Sequence, residues 1–374
     1  EMSTYLIPIQ VAMIVFPIIA FCLTLPYAIY QYYKYGAIPI LRTLIIFSFI
    51  YYLINAYFMT ILPLPSVESV AKMTSPTMKL TPFYSVPQII KASPFVWNQP
   101  STYISTLLEP NMRVILFNIL LTVPFGIYLR YYFQLSFKKT IFFTFLLSLS
   151  FELIQLSALF GIYPRPYRLF EIDDLITNTL GGMLGYAICP LFAHFLPTRE
   201  KLDSIAYEQG QKVSKPRKFF AFLIDALFIF ILIMILHLLK VPYHISYFGI
   251  TILFYILLPF MHNGQTPGKI MTKIVLENPS GTKKYQYLIH YLPLYFLIIP
   301  TPYYFYQFLK LSNQLSPLLC YGSIIILIII FFLTTCQFIL SFFSSSHMWF
   351  DYYSHLTHVS AITQIPNLPQ TPEL

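Results

Sequence analysis

Charge is what this sequence lacks. Only 10% of its 374 residues are Asp, Glu, Lys or Arg, against about 25% in an ordinary soluble domain. So few charged groups do not cover a water-exposed surface, and with 57% hydrophobic residues the chain reads as a membrane protein. Cysteine is scarce too. Cys22, Cys189, Cys320 and Cys336 sit in apolar stretches with no CxxC pair, which argues against a disulfide framework or a cysteine zinc site. The GxxxxGK spacing of a phosphate-binding loop is absent, and no inverted repeat of the transporter kind is visible. His347, His355 and His358 gather near the C-terminus without further ligands. No metal and no cofactor is expected.

What the chain does have is long hydrophobic runs. A spanning helix needs about 20 apolar residues, and nine stretches qualify: Tyr5–Tyr30, Leu41–Leu62, Val114–Tyr132, Thr140–Phe160, Leu175–Leu196, Phe219–Leu239, the short Ile245–Phe260, Tyr287–Leu309 and Leu318–Phe343. The expected fold class is therefore all-α, a polytopic membrane protein of about nine transmembrane helices in two bundles. Pro17, Pro124 and Pro293 fall inside spans and should kink them. The first stretch has no basic n-region and no small-residue cleavage site, so it reads as a retained helix, not a signal peptide.

The net charge is +9, but the basic residues cluster between apolar segments. Lys34 and Arg42, then Arg130, Lys138 and Lys139, then Arg199 to Lys218, then Lys269 to Lys284 occupy every second loop. This is the positive-inside pattern, not a nucleic-acid footprint. It places the protein in the cell membrane with the N-terminus outside and the C-terminus cytoplasmic. The expected partners are membrane lipids, including contact with anionic headgroups.

Two connections are long. Residues 64–113 lie outside on this reading and are rich in Pro, Ser and Thr; Phe95 and Trp97 suit a membrane interface, and the segment is expected to form a partly ordered cap. Residues 198–216 are polar and read as a cytoplasmic linker. They divide a five-helix domain, 1–197, from a four-helix domain, 217–360. Residues 361–374 carry three prolines and are expected to be a disordered tail.

Polar groups inside a membrane are costly and usually functional or paired. In the third span Asn118, Thr122 and Gly126 recur every four residues; in the fourth Ser148, Glu152 and Gln155 share a face; in the fifth Asp174, Asn178, Gly181 and Gly185 do so. The Gly181/Gly185 pair is a GxxxG, which permits close helix approach, and Gly126 and Gly182 extend the small-residue packing. Together with Arg165, Arg168 and Asp173 from the intervening loop, these helices could gather Asn118, Glu152, Gln155, Asp174 and Asn178 into one outward-facing pocket. Three readings stand: a buried salt-bridge network bracing the helices, a site for a polar lipid headgroup or cell-surface ligand, and acid–base catalysis by paired carboxylates.

The same residues carry a resemblance. Asn118 to Gly126 reads NxLLxxPFG, Glu152 to Gln155 reads ELxQ, and Asp173-Asp174-Leu175-Ile176-Thr177-Asn178-Thr179-Leu180-Gly181-Gly182 runs on to Gly185-Tyr186. In this order, over roughly residues 1–196, the elements resemble the VanZ family; Glu171 stands where many members carry another acidic or polar residue. The resemblance implies a bacterial membrane protein linked to reduced susceptibility to glycopeptides, especially teicoplanin and lipoglycopeptides. The partner would be a lipid or a lipid-linked cell-wall precursor.

In the second half Arg217 and Asp225 are eight residues apart, about 12 Å along one helical face. Arg217 is expected to snorkel to the cytoplasmic surface; Asp225 needs an internal partner, in a polar clamp or an ion relay. Gln265-Thr266-Pro267-Gly268-Lys269 is a tight turn with Lys269 at the headgroups. With Asp351, Ser354 and Thr357 these elements resemble the RDD family over residues 213–360. That resemblance implies a membrane module of ill-defined role, with sodium–proton exchange or transport in some members. A binding or shielding protein, a transporter and an intramembrane enzyme acting on a lipid-linked phosphate or sugar are thus the functions the sequence leaves open.

Overall fold

The computed structural model describes residues 2–298, 300, 303–304, 307–308, 310, 321–322, 324–326, 328–329, 331–332, 336 and 349–362. Most of the expected ninth span, a few residues of the eighth, His347 and the tail from 363 lie outside the described residues. Two compact units are present: Glu1–Leu23 with Ile40–Leu202, and Thr24–Pro39 with Asp203–Leu374.

The fold is all-α and polytopic, with seven helices among the described residues long and apolar enough to cross a membrane. The first unit is built on α1 (Met2–Tyr35, whose last third belongs to the second unit), α2 (Ile40–Ile61), α6 (Pro110–Tyr131), α7 (Phe137–Leu156) and α9 (Ile172–Ala193). Their patterning is inside-out. On α7 the buried face is Thr140, Thr144, Leu147, Ser148, Phe151, Glu152 and Gln155, while Phe142, Phe143, Phe145, Leu146 and Leu153 are exposed. Lipid-facing helices hide polar groups and small residues and show their large apolar ones. Helix α9 nests against α6 because a Cβ on Gly126 would strike the Gly182 carbonyl oxygen and one on Gly185 that of Val123.

Helix α6 starts at Pro110, four residues before the expected Val114, because Glu109 caps it by accepting the Met112 N–H at 2.8 Å. Helix α7 stops at Leu156, short of the expected Phe160. After it the chain makes a left-handed turn, α8 (Ala158–Gly161), with φ of 55°, 52° and 57° at Ala158, Leu159 and Phe160. Such a conformation costs an L-residue about 1–2 kcal/mol; here burial of Ala158 and Leu159 against Val70 and Tyr163 offsets it.

Residues 62–109 are more ordered than their composition implies. They form α3 (Val67–Ala71), β1 (Met78–Lys79), α4 (Ser85–Ala92) and α5 (Ser101–Leu107). Strand β1 pairs in parallel with β2 (Phe170–Glu171), Met78 opposite Phe170 and Lys79 opposite Glu171. Tyr163 and Tyr167 donate to the carbonyls of Pro65 (2.8 Å) and Ile61 (2.6 Å).

Residues 198–216 hold a helix, α10 (Arg199–Gly210), in place of the expected linker. Arg199 donates to the Tyr132 carbonyl at 2.6 Å and the buried Leu202 packs with Ile45 and Tyr132; these tertiary anchors are what make a polar stretch helical.

The second unit contains α11 (Lys215–Leu238), a span over Tyr243–Met261 made of α12 (Tyr243–Ile252), a π-helical turn (Leu253–Leu257) and α13 (Leu258–Met261), then α14 (Pro267–Met271), β3 (Ile274–Glu277), α15 (Lys284–Leu292), a second π turn (Pro293–Ile298), α16 (Trp349–Ser354) and β4 (Thr357–Ser360). Strands β3 and β4 are antiparallel, Ile274 opposite Ser360. Thr24–Pro39 joins this unit: Tyr32 packs on Phe220 at 5.6 Å and Tyr35 on Tyr207 at 5.0 Å.

Candidate ligand cavity and a buried brace

In the first unit a cavity of about 430 Å³ opens among α2, α6, α7 and α9, within the roughly 300–1,000 Å³ range of small-ligand sites. It is lined by Asn118, Glu152, Gln155, Arg168, Asp174 and Asn178, all expected from sequence, together with Pro8, Met59, Thr60, Leu62, Pro63, Arg113, Val114, Phe117, Leu121 and Phe151.

Each polar side chain is set by a hydrogen bond from its own helix to a neighbour. Asn118 of α6 donates to Asp174 Oδ1 of α9 at 2.8 Å. Asn178 donates to Ser148 Oγ of α7 at 2.9 Å, and its own carbonyl accepts from Thr122 Oγ1 at 2.6 Å. Gln155 donates to the Thr60 carbonyl at 2.9 Å and Arg168 to that of Leu62 at 2.8 Å. Glu152, only 2% exposed, accepts the Glu171 N–H at 3.1 Å. Asp174 and Glu152 thus accept from neutral donors on neighbouring elements. Among the cavity-lining polar side chains, the buried Asn178 Oδ1 has no protein hydrogen-bond partner.

Two expected pocket residues are elsewhere. Asp173 turns away from the cavity and accepts the N–H groups of Phe83 (2.6 Å) and Ser85 (3.1 Å). It thereby fixes the loop before α4, where Phe83 has a left-handed φ of 59°. Arg165 donates to the carbonyls of Met73 and Ser75. Both tie residues 62–109 down, because consecutive residues at a helix start cannot point the same way. Sequence reading missed Arg113, Phe117 and Thr60. Arg113 marked the end of a loop on the assumption that α6 began later; recognising Glu109-Pro110 as a capped helix start would have placed it.

Residues 49–193 match the VanZ/LLP1 family. The VanZ-like segment lies within the first unit and supplies every cavity-lining residue except Pro8. Over 96 residues the chain is 33% identical to Protein VanZ of Enterococcus faecium, a stretch that is 25% of this chain and 55% of that relative. The chain therefore spans about half the length of the curated relative it matches. No solved structure matches it.

In the second unit Arg217 does not snorkel. It is fully buried, and its guanidinium donates to the carbonyls of Thr272 (2.7 Å), Gly210 (2.8 Å) and Lys273 (2.6 Å) and to Ser360 Oγ (3.1 Å). The planar fork of arginine matches such a cage where lysine would not. Asp225, 2% exposed, accepts from Thr266 Oγ1 at 2.6 Å and from the Gly268 N–H at 2.7 Å. Gly268 is required there, since a Cβ would strike the Ala221 carbonyl. Gln265 donates to the Ile274 carbonyl at 2.7 Å. Lys269 is not at the headgroups: it is buried, donating to the Tyr291 hydroxyl at 2.7 Å over that ring. The Asp351 side chain lies outside the described residues. These groups form a brace closing the turn onto α11.

Proposed function

We propose that the first unit lowers susceptibility to glycopeptide and lipoglycopeptide antibiotics such as teicoplanin by holding the polar end of a lipid or lipid-linked cell-wall precursor in the cavity of its VanZ-like segment, in the membrane of a Gram-positive cell with that cavity on the outer face. The observation that carries this reading is the cavity itself: charged and amide side chains line it beside apolar ones, and nearly all of them belong to the family-matched segment. Two carboxylates, three amides and two arginines around one void suit an ampholytic headgroup better than an apolar chain. The second unit, with its RDD resemblance, has a structural part on this reading, since both Asp225 oxygens are already occupied by the turn that closes onto α11.

The test is teicoplanin susceptibility in three strains: a deletion, an overexpressor and an overexpressor of Glu152→Gln. Overexpression should reduce susceptibility, and the variant, at equal membrane abundance, should not. Unchanged susceptibility in both the deletion and the wild-type overexpressor would contradict the proposal.

A further inference from the structure

The charges of the cavity are graded along its depth. Glu152 and Asn178 are the buried end, at 2% and 3% exposure, whereas Arg168 is half-buried and Arg113 exposed. Asn178 stands four residues beyond Asp174 on α9, about 6 Å further from the helix start. At this end the amide nitrogens of Asn118, Gln155 and Asn178 each direct one N–H to Asp174, Thr60 and Ser148. The acceptors there are not saturated: Glu152 takes a single N–H on Oε2, and Asn178 Oδ1 takes none. A carboxylate oxygen has room for more.

We propose that this cavity selects headgroups carrying a primary ammonium next to an anionic group, the ammonium seated among Glu152, Asp174 and Asn178 Oδ1 and the phosphate or carboxylate at Arg168 and Arg113; the inference rests on the headgroup-binding reading above and sharpens its ligand class. The chemistry is specific. An ammonium offers three donors and a positive charge to an acceptor-rich, acidic end. A quaternary ammonium offers the charge without donors, and a glycerol headgroup offers donors without the charge. Arginine at the mouth pairs with the anion in a fork geometry. An ammonium donating to Asn178 Oδ1 would satisfy this buried acceptor.

The experiment uses the purified full-length protein offered phosphatidylethanolamine, phosphatidylcholine and phosphatidylglycerol with identical acyl chains, retained lipid being counted by native mass spectrometry. Ethanolamine lipid should be retained about tenfold or more over each of the other two, as expected of a site built to pair a donor. Asn178→Leu should remove that preference. Because a variant could fail to fold, the wild-type protein is also heated with free phosphoethanolamine, phosphocholine or glycerol phosphate, and only the first should raise its melting temperature. Equal retention of all three lipids, or preference for phosphatidylglycerol, overturns the amine selectivity but leaves headgroup binding standing. Retention of none removes both. A stabilisation by sodium or magnesium alone that phosphoethanolamine does not add to makes the buried end an inorganic cation site and overturns the proposal.

Discussion

At the scale of single residues the site is a matter of which polar atoms are left over. Buried polar groups in membrane helices are nearly always paired, and here Asn118, Gln155, Ser148 and Thr122 follow that rule while Asn178 keeps one acceptor open. The four-residue spacing of Asn118/Thr122 and Asp174/Asn178 made this legible in sequence, since equal spacing on two helices places successive pairs opposite one another. Asp173 and Arg165 were not legible. Nothing in the sequence says that the backbone of Phe83 and Ser85, some 90 residues away, competes for the Asp173 carboxylate. The same small-residue stripe carries a stability prediction. Gly185 leaves no room for a side chain against the Val123 carbonyl, so Gly185→Leu should cost about 1–3 kcal/mol by overpacking. It should also part Asn118 from Asp174. Thermal unfolding in detergent checks this: a melting temperature within error of the wild type would show that α6 and α9 do not pack as described.

At the scale of elements, hydrophobic length found the spans well and their ends poorly. Helix starts and stops are decided by caps, as Glu109 decides α6, and by left-handed turns, as at Ala158, and neither alters average hydropathy. The helix within the polar stretch 198–216 is unmarked for the same reason: α10 owes its formation to Leu202 and Arg199 meeting Tyr132, a tertiary effect that composition does not show. Residues 62–109 show the reverse. They are ordered, yet Phe83, Ile90, Trp97, Ile104 and Leu108 are exposed, Trp97 at 79%. Short helices with this much bare apolar surface, one of them running directly into α6, fit the interfacial zone of a bilayer where aromatic residues collect. With Trp349→Phe, Trp97 becomes the sole tryptophan of the chain's two. In liposomes, lipids brominated near the headgroup should quench its fluorescence strongly and a soluble quencher weakly. Strong quenching by the soluble agent with none from the brominated lipid would place the segment in water.

At the scale of the whole molecule, scarcity of charge was enough to give the class, an all-α membrane protein. The division at Leu202 falls within the polar stretch 198–216. Nothing in the sequence marks that Thr24–Pro39 joins the second unit through Tyr32, Tyr33 and Tyr35, the Lys273 ammonium lying 4.2 Å from the Tyr33 ring centre. An apolar helix carries no mark of which neighbours it will choose, because lipid and protein are nearly equivalent to it. The polar groups do carry that mark, and they divide into a brace in one unit and a cavity in the other. The central claim is that the cavity holds a headgroup. A structure of the full chain in lipid nanodiscs containing phosphatidylethanolamine tests it most directly. Density continuous from the Asn178 amide past Glu152 to Arg168, leading out to acyl chains, is the result this account predicts. A cavity holding only ordered water, with Asn178 Oδ1 bonded to it and lipid confined to the outer helix faces, would contradict it.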